Sequence, residues 1–205
     1  MSSIKEIKTF VRDINLTLLS SSKKIDIDIS KRYCDKIRLF MPNRKLIKYV
    51  TEIGGVLTGS RALRCFKIDG NQVFDRRSKD WDFIVTTEMA FNICNKFGIS
   101  IIPGVDKVIS IQGQRYWRHP AYSDSYRVGP VDVQLIVKDE LPSYEEVKGV
   151  RIANFGYTIA QKSLLIDELV EKKNGTVGVS WKVADELDKH IEDMTQLIIK
   201  FNCIK

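Results

Sequence analysis

The chain has 205 residues, 43% of them hydrophobic, with only 12 glycines and 5 prolines. That composition excludes a disordered or fibrous protein and is ample for one packed domain. The balance of 33 Lys and Arg against 26 Asp and Glu leaves a net charge of +7, which favours polyanionic partners such as nucleotides or nucleic acid, or else serves solubility alone.

Taken in chain order, the stretch Met1–Phe10 carries Lys5 and Lys8 and lacks the apolar core and cleavage site of a secretory signal, so the expected location is cytoplasmic. Ile4, Ile7, Phe10, Val11 and Ile14 recur at the spacing of an amphipathic helix. After a break at Ser20–Ser22, Ile29, Tyr33, Ile37 and Phe40 mark a second helix ended by Pro42, and Leu46, Tyr49 and Val50 mark a third. Strand-like runs follow at Gly55–Thr58, Trp81–Thr86, Val105–Ile111, Arg115–His119 and Val131–Val137, with a helix over Glu88–Phe97. Beyond Pro142 the pattern returns to helix over Tyr157–Lys172 and Trp181–Lys200, separated by an Asn174-Gly175 turn. No apolar run approaches the roughly 20 residues of a membrane span. Cys34, Cys65, Cys94 and Cys203 are spaced too widely for a zinc knuckle or redox pair and read as reduced structural thiols. The expected fold is α+β: N-terminal helices (1–50), a central mixed sheet (51–140) and C-terminal helices (141–205) in one compact unit.

Three short elements carry chemistry. In Val56-Leu57-Thr58-Gly59-Ser60-Arg61 an apolar strand runs into a Gly-Ser turn and a helix. A phosphate fits there, because Gly59 has no Cβ, Ser60 offers a hydroxyl and a helix start offers free N–H groups. Lys79-Asp80-Trp81-Asp82-Phe83 then sets two carboxylates two apart at the head of a strand, which places them on one face. Their mutual repulsion is relieved by a divalent cation, and magnesium held by carboxylates and substrate phosphates matches the pattern. Solvated aspartates at an exposed strand end would give the same spacing. Finally, Asp132 interrupts the apolar run Val131–Val137, where an ionised carboxylate needs a metal or a donor beside it.

In that order, with those flanks, the three elements resemble the signature of the polymerase-beta-like nucleotidyltransferase superfamily over Gly54–Val137. The resemblance implies that fold and transfer of a nucleoside monophosphate from a triphosphate (NTP) to a hydroxyl, with release of pyrophosphate. It implies that Asp80, Asp82 and Asp132 bind two Mg2+ ions and that Asp132 is the general base. Gly59 and Ser60, with the adjacent Arg61, would hold the triphosphate, and Lys162 on a helix after the sheet would join them. The gap from Ser60 to Asp80 is longer than is usual in the family and holds Arg61, Arg64, Lys67, Arg76 and Arg77, readable as a loop, a gate or a phosphate contact. Two other readings remain at this stage: a nucleotide- or nucleic-acid-binding module of the same fold without turnover, and a metal-dependent nuclease or phosphohydrolase.

For the acceptor, Gln114-Arg115-Tyr116-Trp117-Arg118-His119 alternates basic and aromatic residues. Tyr116 or Trp117 could stack bases while Arg115 and Arg118 meet phosphates, as in RNA-binding strands. The other reading, favoured by the packing preference of aromatics in strands, is a hairpin arm with inward aromatics and arginines in water.

Overall fold

The structure, a computed structural model, describes residues 2–20, 24–29, 44–76, 78, 80–99, 108–112, 115–119, 133–175 and 181–203. The chain is α+β, and its residues fall into two compact units, each assembled from separate stretches. The first comprises Met1–Ile27, Phe66–Arg76 and Phe155–Lys205, and the second Asp28–Cys65 and Arg77–Asn154.

The second unit is built on a seven-stranded mixed sheet in the order β7-β6-β8-β5-β2-β10-β9. Its strands are β2 (Val56–Thr58), β5 (Trp81–Thr86), β6 (Val108–Gln112), β7 (Arg115–His119), β8 (Val133–Lys138), β9 (Tyr144–Val147) and β10 (Val150–Ala153). The β8–β5 and β2–β10 pairs are parallel and the others antiparallel. Trp81 and Phe83, two apart on β5, stack with ring centroids 6.1 Å apart and planes 9° apart. They are fully buried with Val133 and Leu135 of β8 and Ile109 of β6, and burial of Phe83 alone stabilises the core by about 2–3 kcal/mol. Two helices, α2 (Arg44–Glu52) and α4 (Thr87–Phe97), pack on one another, and α4 lies against β5 and β8. Thr86 caps α4 by accepting a hydrogen bond from the Met89 N–H at 3.2 Å. A single turn of helix, α3 (Gly59–Leu63), follows β2 directly.

The first unit packs three helices, α1 (Ile4–Ser20), α5 (Phe155–Gly175) and α6 (Trp181–Cys203), with a three-stranded antiparallel sheet. That sheet is β1 (Ile25–Ile27), β3 (Phe66–Ile68) and β4 (Asn71–Gln72). Edge-on aromatic contacts tie these pieces together: Phe10 meets Phe201 at 5.5 Å and Phe66 meets Phe155 at 5.2 Å.

Several expectations need amendment. The stretch between Ser60 and Asp80 contains the β3–β4 hairpin, and the region after Pro142 opens with the β9–β10 hairpin before any helix. Both hairpins turn through a non-glycine residue of positive φ, Asp69 (48°) and Lys148 (52°), each followed by a glycine, the backbone of a primed two-residue turn. Residue 174 does not end α5, which continues through Gly175. The helix expected around Ile29–Phe40 lies largely outside the described residues. No helix among the described residues is long and apolar enough to cross a membrane. Cys65 and Cys94 are buried thiols and Cys203 an exposed one, none of them in a disulfide.

Candidate functional site

The site is assembled where β2 ends beside β5. In the antiparallel register Thr58 is opposite Asp82 and Leu57 opposite Phe83. With Trp81 and Phe83 stacked in the core, alternation leaves half-buried Asp82 on the other face. There its carboxylate lies against the backbone of Gly59, the first residue of α3. A Cβ at Gly59 would overlap Asp82 Oδ2, and Gly59 has φ +68°, a left-handed conformation that other residues adopt at a cost. Glycine is therefore required twice over, by backbone conformation and by the carboxylate. Next to them Thr58 Oγ1 is buried without a hydrogen-bond partner among the described residues. Ser60 is half-buried in the first turn of α3. Because α3 has only five residues, it carries little of the dipole of a longer helix. What the turn presents is a short run of backbone N–H groups.

Asp80 stands one residue before β5, and its backbone is held by Arg61. The Arg61 Nε donates to the Asp80 carbonyl at 3.1 Å and Nη2 to the Ser78 carbonyl at 2.9 Å, while the Ser78 hydroxyl donates to the same Asp80 carbonyl at 3.1 Å. The guanidinium also lies over the Trp81 ring, 4.1 Å from its centroid. Arg61 is only 4% exposed. Burial pushes its pKa down, and the charges of Asp82 and Asp80 act in the opposite direction. Arg61 thus senses both carboxylates while fixing the chain that carries them. The sequence placed it beside a triphosphate, and the structure gives it this anchoring task.

Asp132 lies outside the described residues. Its neighbour in the chain, Val133, is the register partner of Trp81, the residue between Asp80 and Asp82, and β8 runs parallel to β5 from that point. Among the described residues no group of three or more His, Cys, Asp or Glu side chains is placed to hold a metal ion. Asp80 and Asp82 are the described carboxylates at the head of β5, with the Gly59 turn and the buried Thr58 hydroxyl beside Asp82.

Lys162 belongs to the first unit, on α5, and is 7% exposed. Its ammonium contacts Asp193 Oδ2 at 2.7 Å, and Arg76 Nε and Nη2 reach the two oxygens of the same carboxylate at 2.5 and 2.6 Å. Burial pushes the Lys162 pKa down and Asp193 opposes it. Arg76, one of the basic residues of the long Ser60–Asp80 gap, thereby helps to tie that segment to α6. Close by on α6, His190 Nε2 is 3.5 Å from Glu186 Oε2, and His190 Nδ1 is buried with no hydrogen-bond partner among the described residues. Burial first, then the Lys162 and Lys189 charges, holds the imidazole down to about 4, with Glu186 acting in the opposite direction. The hydrogen bond from His190 is in turn the main reason Glu186 is lowered to about 2. Sequence reasoning found Lys162 but missed Asp193 as its partner. The signal was the Lys189-His190-Ile191-Glu192-Asp193 run, in which a carboxylate three residues after His190 falls on the buried helix face.

No known protein family, curated protein or solved structure matches this chain.

Two outcomes follow from this geometry. Gly59→Ala should lower stability by about 1–3 kcal/mol, the cost of a left-handed non-glycine residue, with more from displacement of Asp82. An unchanged urea midpoint would show that the cradle is not occupied as described. For His190 the folded value, about 4, lies below the ordinary 6.5, so the unfolded chain takes up the extra proton. Stability is therefore complete above pH 6.5 and falls as the pH drops toward 4, by at most about 3 kcal/mol. In His190→Gln the slope of unfolding free energy between pH 6.5 and 4 should flatten, as measured by urea titration at half-unit steps.

Proposed function

We propose that the chain is a magnesium-dependent nucleotidyltransferase, of the nucleotidyltransferase fold, which moves a nucleoside monophosphate from a triphosphate to a hydroxyl acceptor. The observation that carries this reading is the Asp82 carboxylate seated against the Gly59–Ser60 turn. In this reading the carboxylate is a metal ligand and the glycine turn beside it receives phosphate.

In this reading the turn after β2 receives the triphosphate through its backbone N–H groups and the Ser60 hydroxyl. Asp80, Asp82 and Asp132 would hold the ions, which when bound supply neutralisation of phosphate charge and stabilise the attacking and leaving oxygens. Arg61 keeps the two β5 carboxylates in place through the Asp80 and Ser78 carbonyls. Asp132 takes the proton from the acceptor hydroxyl as its oxygen attacks the α-phosphorus. The new P–O bond forms, the bond to the β-phosphate oxygen breaks, and pyrophosphate leaves. The acceptor is an RNA end, in keeping with the net charge of +7.

Incubation with labelled triphosphates, magnesium and mixed RNA should give labelled RNA and an equal amount of pyrophosphate. Asp82→Asn should reduce transfer by about a hundredfold or more. Failure of the wild-type chain to label any acceptor, whether RNA, DNA, protein or a small alcohol, would defeat the proposal. Release of orthophosphate would indicate hydrolysis instead. Calorimetric triphosphate binding unchanged by joint Asp80→Ala and Asp82→Ala substitution would indicate a module that binds without turnover.

A further inference from the structure

One end of the seven-stranded sheet is β9, which among the described residues has a single strand neighbour, β10. In their antiparallel register Val147 faces Val150, Glu146 faces Arg151, Glu145 faces Ile152 and Tyr144 faces Ala153. One step further along, the Asn154 N–H donates to the Ser143 carbonyl at 3.0 Å. Antiparallel ladders alternate bonded and non-bonded pairs, so Ser143, Glu145 and Val147 are the residues that bond to β10. Tyr144 and Glu146 therefore turn their N–H and C=O groups away from β10, toward the outer edge. Tyr144, Glu145 and Glu146 are all exposed. The Arg151 guanidinium lies 4.8 Å from the Tyr144 ring centroid, its Nε is 3.2 Å from Glu146 Oε2, and its Nη1 donates to the Gly54 carbonyl at 3.3 Å. It thus steadies the two outward-bonding residues from one face. Glu145 belongs to the other face and takes part in no ion pair among the described residues. Charge also sets this edge apart: in a chain of net charge +7, residues 138–149 expose Asp139, Glu140, Glu145 and Glu146 against Lys138 and Lys148.

We infer that β9 accepts an extended basic peptide segment as an added antiparallel strand, with a Lys or Arg of that segment opposite Glu145. Tyr144 and Glu146 can each exchange a pair of N–H···O bonds with the incoming backbone. The peptide residue between those two bonded pairs forms the close, non-bonded pair with Glu145, its Cα about 4.5 Å from that of the glutamate. An opposite charge there is stabilising and a like charge destabilising. A second copy of this chain is for that reason a poor occupant: the antiparallel register that uses Tyr144 and Glu146 of both copies sets Glu145 against Glu145. Nucleic acid would bring its phosphates to the same carboxylates. The site is also short, because β9 has four residues, Pro142 just before it has no N–H to offer, and the Lys148-Gly149 turn closes its other end. So few backbone bonds make the charge at Glu145 decisive for which segment is taken. This inference does not depend on the transferase reading.

The experiment measures fluorescence anisotropy of a labelled peptide of alternating lysine and threonine with the full chain. Wild type should bind it and should not bind the counterpart in which glutamate replaces lysine. Methylating the threonine backbone nitrogens, which removes the N–H groups aimed at the edge, should weaken binding about tenfold or more. Glu145→Lys should weaken it by a similar factor, whereas Glu171→Lys, the same change of charge at an exposed position of α5, should leave it unchanged. Glu146→Pro removes an N–H that no ladder bond uses, so it should abolish peptide binding while the chain stays folded by circular dichroism. Equal affinity for the plain and the N-methylated peptide would overturn the inference, as would equal weakening by Glu145→Lys and Glu171→Lys. Undiminished binding by Glu146→Pro, or no binding of the lysine peptide by wild type, would do the same. A wild-type dimer in sedimentation that Glu146→Pro dissociates would assign the edge to a second copy and overturn it too.

Discussion

The arrangement at the head of the sheet depends on one steric fact: residue 59 has no side chain, and the carboxylate of Asp82 uses the room. β2 and β5 are antiparallel neighbours with Thr58 opposite Asp82, so the residue after Thr58 has to turn away from the sheet beside that carboxylate. With φ +68° at Gly59 the chain turns at once into α3. A bulkier residue would force either the aspartate or the turn to move.

Each unit also contains buried positive charge, satisfied by different means. In the second unit Arg61 donates to the Ser78 and Asp80 carbonyls and lies over the face of Trp81, and the charges of Asp82 and Asp80 favour its charged form. Such a guanidinium fixes a backbone, because its donors form a rigid fork. In the first unit Asp193 is shared between Lys162 and Arg76, a close ionic cluster whose disruption leaves an uncompensated charge in the interior. Neither arrangement is a surface salt bridge of small energetic weight. Both hold the ends of the chain segment that leads into β5.

Much of the fold was legible in the sequence. α1, α2, α4 and α6 follow from apolar residues at helical spacing, and β5 and β7 from β-branched and aromatic runs bounded by turn residues. The hairpins β3–β4 and β9–β10 were not legible from periodicity. β4 has two residues and β9 is largely exposed, so neither offers an alternating buried face. Their signal lay in the turns, Asp69-Gly70 and Lys148-Gly149, flanked by short runs of strand-forming residues. Of the site, the order Gly-Ser then Asp-x-Asp was readable, and the structure places Gly59 and Asp82 in contact. The roles of the cations were harder to read: Arg61 and Lys162 look like any basic residues on a helix until burial shows that each is committed to an internal partner. Asp132, the third carboxylate of the sequence reading, lies outside the described residues.

The threading of the chain has a consequence of its own. One unit is made of three stretches and the other of two, so the backbone passes between them four times. Neither unit is a contiguous cassette that recombination could transplant whole into another gene, or that a single cut could release. During synthesis α1 emerges long before its partners α5 and α6, and the first unit can close only after the entire sheet has been made. For this chain the two halves are inherited, and completed, together.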